Sequence, residues 1–526
     1  MNKLLRLLHT VKYLRLRQIA WRIYYILKNK LGIVTKVQSE AVFLGEFNRL
    51  NGTEFLPSSV SFISSDEFIF LNQRHKVRDW NEEGIDKLWL YNLHYFDYLF
   101  QENIPSDEII YDWIQKNPVG VGNGWEPYSI SLRGLNWIKY HIHIKPLNSS
   151  QIDSLQKQVD YLEKNLEYHI LGNHLFENAK LLYSSGLFFN NKQLLQKGLG
   201  LLNSEINEQI LDDGAHFELS PMYHSIILVG MLDIVNLSRM YSYDYPQAWN
   251  EKINTMISFL TRTLHKDGEI SYFNDSVLGI AHSAGSISAY ATRLGFNRSS
   301  KENNAEVTPS GLIRFENSER VMLIDGGRVG PDYIPGHAHA DNLSFELSTR
   351  DTRVFVNSGI STYERCTRRT KERSTRAHNT VVIDGKNQSD VWSSFRVGKR
   401  VVPKNLRVRD TVSCKVFEGS YSGELHKRIV NFYSDDIEVN DIIAKVVKSS
   451  EAFYHLYPGI SITVDENKSS LRLVRNDQVI CKLELGDFEF FIEKYEWAEG
   501  FNKLKDSLLI KVILRPGQEN KIKISF

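Results

Sequence analysis

The stretch Gly295-Phe296-Asn297-Arg298-Ser299-Ser300-Lys301-Glu302-Asn303-Asn304 divides the chain into two kinds of sequence. It is polar and glycine-led, as linkers are. Upstream, apolar residues recur three and four apart. Ile152, Leu155, Val159, Leu162 and Leu166 predict a helix over 150–170, with Ser149 and Ser150 as cap candidates. The same period runs through 127–143, 174–189, 192–211, 221–240, 246–265 and 278–294. Short links such as Leu171-Gly172-Asn173 and Asp212-Asp213-Gly214 separate these segments, which predicts antiparallel helical hairpins in a ring or solenoid. Downstream, short β-branched runs such as Gly311–Phe315, Arg320–Ile324, Thr352–Val356, Lys427–Tyr433 and Ser507–Leu514 predict a β-sandwich or a related antiparallel architecture. The chain thus reads as α then β: a basic helix and irregular lead-in over 1–75, a helical domain over 76–298, a linker over 299–310 and a β domain over 311–526.

A chain of 526 residues with 42% hydrophobic and 24% charged residues has the makings of two ordinary globular cores. A formal net charge of +1 argues against a dedicated nucleic-acid binder, which concentrates basic residues. The three cysteines, Cys366, Cys414 and Cys481, show neither metal spacing nor a disulfide framework.

In residues 1–30, Lys3, Arg6, Lys12, Arg15, Arg17, Arg22 and Lys28 interrupt every apolar run. That pattern predicts neither a secretory signal nor a bilayer span. It predicts a basic amphipathic helix, with Leu4, Leu5, Leu8, Val11 and Leu14 on one side, that lies on an anionic membrane or docks on the protein. The expected location is the cytoplasm or the inner-membrane surface, with the periplasm as the alternative.

Four clusters carry protonatable groups. Gly172-Asn173-His174-Leu175-Phe176-Glu177-Asn178 opens a helix, with Glu177 one turn beyond Asn173. Gly214-Ala215-His216-Phe217-Glu218-Leu219-Ser220-Pro221-Met222-Tyr223-His224 is a loop running into a helix, with Pro221 suited to its first position. Pro335-Gly336-His337-Ala338-His339-Ala340-Asp341-Asn342 leads into Leu343–Leu347, which reads as a strand. On extended chain, His337 and His339 point to one side and Ala338 and Ala340 to the other. The fourth is Arg373-Ser374-Thr375-Arg376-Ala377-His378-Asn379-Thr380, with Arg365, Arg368, Arg369 and Lys371 upstream, a cationic run attractive to a polyanion.

Together with Trp89–Phe96, Gly124–Tyr128 and Phe273-Asn274-Asp275, these clusters resemble one family, the heparinase II/III-like polysaccharide lyases. The resemblance implies an N-terminal (α/α) toroid, a C-terminal antiparallel β-sandwich and a cleft between them in which a 4-linked uronic acid is cleaved by β-elimination. It implies that Asn173 holds the substrate carboxylate, that Glu177 assists, and that Tyr223, His224 and His337 transfer protons. His94, Trp125, Arg133 and His216, with Tyr363 and Arg376 from the β side, are the expected groove residues. His339 and His378 match positions that hold a metal, usually zinc, in some relatives. The aspartate that completes that set is replaced here by Asn357, a weaker ligand, which leaves three readings: Asp341 substitutes, Asp384 substitutes, or the two histidines hydrogen-bond without a metal. No organic cofactor is expected. The expected partner is an anionic polysaccharide or lipid-linked glycan in surface polysaccharide (capsule or O-antigen) metabolism, with membrane contact through residues 1–30. A uronyl C5-epimerase, a glycoside hydrolase built on Glu126, Glu177, Glu218 and Asp275, and a non-catalytic glycan-binding or assembly protein are the alternatives.

Overall fold

A computed structural model describes residues 3–38, 52–57, 60–298, 307–421 and 423–526. Most of the expected linker, 299–306, and residues 39–51 of the lead-in lie outside the described residues. Two helices come first, α1 (Lys3–Val11) and α2 (Leu16–Lys30). The lead-in expected to be irregular contains a small antiparallel sheet of Phe62–Ser64, Glu67–Phe70 and Gln73–Lys76. Alternation of Phe68 and Phe70 into the core explains it, over a span too short for periodicity to announce.

The helical lobe comprises α3 (Lys87–Tyr95), α4 (Ser106–Lys116), α5 (Pro127–His143), α6 (Ser149–Glu163), α7 (Asn173–Phe188), α8 (Lys192–Gln209), α9 (Pro221–Met240), α10 (Ala248–Arg262) and α11 (Ala284–Arg293). Their starts are chemically specified. Asn148 and Gln151 form a capping box on α6, Asn191 accepts from Leu194 N on α8, and Ser220 caps α9 with Pro221 behind it. The α7–α8 hairpin is packed nearly backbone to backbone, because a Cβ on Gly198 would sit 2.3 Å from Tyr183 N. The helix expected over 278–294 begins only at Ala284, and the residues before it form a loop that carries part of the site.

Among the described residues one helix, α9, has the length and apolarity of a membrane span, but its window is 83% buried in the lobe. Covered on nearly every side, with Asp233 and Asn236 buried along with its apolar residues, it is a core helix.

The β lobe has an eight-stranded antiparallel sheet and two four-stranded sheets. His426–Phe432 and Asp436–Ile443 alternate strictly between buried and part-exposed positions, as a sheet with one covered face requires. The two smaller sheets meet where Val356 N donates to His455 O and Tyr457 N to Val354 O. Both then pack through Phe345, Phe355 and Tyr454 against Phe417, Val430 and Val439 of the large sheet in one core. The fold is therefore the expected one, a helical toroid followed by an antiparallel β-sandwich. The lobes share packed surface as well: Val356, Ile360, Trp497 and Phe501 belong to the helical lobe's core, and Trp497 stacks on Tyr272 at 5.3 Å.

Candidate active site

The site is assembled around Asp275, in the loop before α11. Its carboxylate is fully buried and accepts two hydrogen bonds from Arg369, at 2.5 and 2.6 Å. It also meets His337 Nδ1 at 2.8 Å and His339 Nε2 at 2.8 Å. Burial alone would raise this acid. The Arg369 guanidinium and the imidazole hydrogen bonds outweigh it and hold the carboxyl well below the usual range. Both histidines reach one carboxylate from the same side of the chain, while Ala338 and Ala340 pack with Val329, Val391 and Val397 on the other. The i, i+2 alternation read from sequence is what the loop does.

An ionised Asp275 decides the tautomer of His337. Nδ1–H donates to the carboxylate, which leaves the Nε2 lone pair free. That imidazole stacks on the Tyr223 ring, with centroids 3.9 Å apart. The Tyr223 hydroxyl lies 3.2 Å from that of Tyr363, whose ring packs on Phe395 and Phe501. Burial, then Tyr363 and the nearby carboxylates, push the Tyr223 phenol well above its ordinary range, so it is held protonated.

Glu218 lies beyond His337, with Oε2 at 3.9 Å from Nε2. It is 2% exposed, and among the described residues neither carboxylate oxygen has a hydrogen-bond partner. Burial raises its pKa. Its Oε1 comes within 3.2 Å of where a Cβ on Gly172 would stand, and Gly172 has φ +60°, so glycine is required there on both counts. Asn173 follows as the first residue of α7, its Oδ1 buried without a partner among the described residues. His174 Nδ1 meets Glu167 Oε1 at 2.9 Å. Burial opposes its charge, but Glu167 outweighs burial and its pKa is raised. Glu177 is buried against Lys180 Nζ at 2.6 Å. The part-exposed rings of Tyr95 and Tyr128 lie along the same side, Tyr128 at 4.6 Å from the His174 ring.

Two hydrogen-bonded loops bring these pieces together. Ser220 Oγ donates to Asp275 O at 2.6 Å, and Asp275 N donates to His337 O at 3.0 Å. Asn274 Nδ2 donates to Leu219 O, while its Oδ1 accepts from His339 N. Leu171, Leu219, Asn274 and Leu343, each next to a site residue or one position from it, hold φ between 54° and 71°. Left-handed backbone is costly for leucine, and of the four leucines that adopt it among the described residues only Leu71 lies away from the site.

The second histidine pair has an unbalanced proton count. His339 Nε2–H is directed to Asp275 and His378 Nδ1–H to Ser374 O at 2.8 Å, while His339 Nδ1 and His378 Nε2 face each other at 3.0 Å. Two neutral imidazoles so anchored point lone pairs at one another, a contact that a shared proton or a metal cation between them would relieve. Burial disfavours a proton on either ring, lowering His339 to about 3 and holding His378 below its ordinary value. Asp341 completes a three-residue group whose ligand atoms lie within 4.8 Å of one another. Tetrahedral zinc at about 2.0–2.1 Å holds ligand nitrogens roughly 3.3 Å apart, and its histidines direct their outer N–H to a carboxylate or carbonyl. The donor set fits. Asn357 does not take part: its Nδ2 donates to Tyr272 O and its Oδ1 accepts from Asn379 N. Asp384 is engaged elsewhere, accepting from Lys448 N and Ser449 N.

Several expected site residues are structural instead. His94 accepts from Trp113 Nε1 in the toroid core, and burial lowers it to about 3. Arg133, fully buried, donates to Gln158, His94 O and Gly124 O, and Trp125 donates to Asn117 O. The cleft side of these helices carries Tyr95 and Tyr128, one and three positions away, because each helical residue turns about 100°. His216 pairs with Gln209 at 3.0 Å. His224, adjacent to Tyr223, points into the core: Nε2 meets Met256 O at 3.0 Å and Nδ1 accepts from His216 N, and burial lowers it to about 4. Arg376 is exposed and paired with Glu493. In the cationic run, Arg369 and Arg373 are buried as internal braces, Arg373 donating to Ala338 O and Ser394 O, while Arg365, Lys371 and Arg376 are exposed. Sequence reasoning gave no site role to His174, Tyr95 or Tyr128, and read Arg369 as part of a polyanion-binding run where the structure makes it the partner of Asp275. It quoted Asp275 and Glu218 only as motif members and hydrolase carboxylates.

Residues 301–525 match the family model described as heparinase II/III-like, C-terminal, and residues 110–294 match the heparinase II/III N-terminus. A heparin-sulfate lyase of Pedobacter heparinus is 27% identical over 343 residues, 56% of this chain and 50% of that protein. One from Bacteroides stercoris is 26% identical over 330 residues, 55% of this chain and 46% of that protein. The chain thus spans about half the length of the curated relatives it matches. Among solved structures, heparinase III superposes with a TM-score of 0.71 at 16% identity, covering 85% of this chain and 78% of that one. Heparan sulfate lyase from Pedobacter heparinus superposes with a TM-score of 0.59 at 19% identity, covering 88% and 81%. At these identities the structures speak for the fold, and the sequence models speak for the lineage. The chain belongs to the heparinase II/III-like family.

Proposed function

We propose that the chain is a polysaccharide lyase that cleaves a uronate-containing anionic glycan by β-elimination. The observation that carries this reading is the Tyr223–His337 stack, with His337 Nδ1 tied to an ionised Asp275 and Nε2 left free. The substrate carboxylate is received by the Asn173 amide at the α7 N-terminus, with His174, whose charged form Glu167 favours, beside it. Both stabilise charge as it moves onto the carboxylate. His337 Nε2 takes the C5 proton. The C5–H electron pair forms the C4–C5 double bond, the C4–O4 bond breaks, and the pair it leaves on O4 is protonated by the Tyr223 phenol. Tyr363 hydrogen-bonds the phenol and can return its proton. Glu218, facing His337 Nε2, is a place for the C5 proton to go between turnovers.

The stacked rings leave no space for a sugar between them, so both proton-handling groups approach from one side. That favours a uronate whose C5–H and C4–O4 lie on the same face, as in the gluco configuration. It also weighs against a C5-epimerase, which needs groups on both faces of C5. Asp275, committed to Arg369 and two histidines, is no hydrolase nucleophile. The proposed metal, zinc first among divalent candidates, would be held by His339, Asp341 and His378. It would supply positive charge that braces the loop behind His337. The proposed setting is surface-polysaccharide metabolism, with a free or lipid-linked glycan as substrate, in the cytoplasm or at the inner membrane, the periplasm being the alternative.

An ultraviolet absorbance time course over uronate polymers of gluco and ido configuration tests the reading. The product's C4–C5 double bond is conjugated with its carboxylate, so absorbance rises with wild type and stays flat with Tyr223→Phe/His337→Ala. A flat wild-type trace with solvent deuterium entering C5 would overturn the lyase reading in favour of an epimerase.

A further inference from the structure

We propose that α1 and α2 form an inverted amphipathic strap whose outward face docks the protein on an anionic lipid surface. A surface helix ordinarily buries its apolar stripe. These two do the reverse. On α1, Arg6 donates to Asp390 at 2.8 and 2.9 Å and Thr10 Oγ1 accepts from Trp392 Nε1. At about 100° per residue, Arg6 and Thr10 share one side of the helix, and Leu5, Leu8 and Val11 centre on the opposite side. Those three are 51%, 57% and 40% exposed.

On α2, Gln18 donates to Ile170 O and Tyr333 O, Arg22 to His169 O and the Tyr25 hydroxyl to Leu166 O. Leu16, Ile23 and Leu27, on the far side, are each more than half exposed. Polar anchors thus hold both helices with their apolar stripes turned outward, and an exposed apolar patch of this kind marks an interaction surface.

Charge selects the occupant. Residues 3–38 contain no aspartate or glutamate, and Lys12, Arg17 and Lys30 are exposed around the stripes. A second copy would bring two such cationic surfaces together. A bilayer with anionic head groups offers an apolar layer for the leucines and negative charge for the basic rim. The strap also joins the lobes. α1 is anchored on Asp390 and Trp392 of the β lobe, and α2 on residues 165–170 of the toroid and on Tyr333, four residues before His337. Docking would therefore set the cleft beside the bilayer, where a glycan carried on a lipid would be presented. That consequence rests on the proposed function, but the docking does not.

The test is co-sedimentation of the full chain with phosphatidylcholine vesicles, with and without phosphatidylglycerol, at low and high salt. Binding is expected to be at least about tenfold tighter with phosphatidylglycerol and to weaken as salt rises. Leu8→Glu/Ile23→Glu should abolish it while leaving the thermal midpoint unchanged, because both side chains face solvent. Three results would overturn the proposal: no sedimentation with anionic vesicles, equal binding by the variant, or a concentration-dependent dimer that the variant dissolves. Binding is read without turnover, so a failed elimination assay and a failed docking assay remain distinguishable.

Discussion

Replacing Asp275 by asparagine should damage stability and chemistry together, in a way that separates the two. The carboxylate is the counter-charge of Arg369, and both side chains are fully buried. The amide removes that charge and presents N–H groups to a guanidinium that can only donate. Leaving one partner of a buried ion pair uncompensated costs about 3–5 kcal/mol. Urea unfolding should show a loss of this size. The same change removes the acceptor that orients His337, so Nε2 is no longer reliably the free nitrogen, and turnover by the folded fraction should fall by roughly 10²–10⁴. The control is Asp275→Asn/Arg369→Gln, which removes both charges. It should recover a large part of the stability and none of the activity, because the interaction energy belongs to the pair while the tautomer depends on Asp275 alone. Single-variant stability losses that simply add, or an Asp275→Asn enzyme within about threefold of wild-type turnover, would refute the reasoning.

Three further outcomes follow from the geometry. His224→Phe strips Met256 O and His216 N of their partner and should lower stability by about 1–3 kcal/mol while turnover per folded molecule stays near wild type; a collapse of turnover at unchanged stability would restore His224 to the chemistry. Asp341→Asn should weaken zinc retention after gel filtration by at least ~10–100-fold and remove any lowering of the thermal midpoint by chelator, whereas Asp384→Asn should leave both unchanged. The His174–Glu167 pair gives a pH dependence of known sign: because the folded pKa is raised, its stabilisation is complete below the unfolded value of about 6.5 and is lost as pH rises through the folded value. Urea midpoints should therefore decline over that window in wild type and lose that component in Glu167→Gln; an unchanged profile in the variant would show that another group is responsible.

The α-then-β order, most of the helices and the alternation of His337 and His339 were legible in the sequence, although α11 starts six residues later than its apolar period and α6 is capped by Asn148. Each rests on contacts within a few residues, where period and cap chemistry act. The depth of a side chain was not legible. His94 and Arg133 carry the polarity of groove residues, yet the toroid gives every helix both a core side and a cleft side. Only packing of Trp113, Gln158 and Gly124 around them decides that they are inside. The motif likewise placed His224 next to Tyr223 without showing that one helical step turns it away from the cleft.

The pairing of Asp275 with Arg369 spans 94 residues and joins two lobes. Nothing local marks an arginine in a basic run as the one that is buried, because its partner is chosen by how the loop before α11 meets the short helix Thr367–Glu372 that carries Arg369. The same holds for the metal ligands. Sequence matched Asn357 to the expected aspartate position, but in the fold its amide is consumed by backbone groups, and Asp341 is the carboxylate that stands beside the two histidines. Local periodicity determined the elements and their order. Long-range packing alone decided which charges meet, since a buried charge is tolerated only where the tertiary structure supplies its partner.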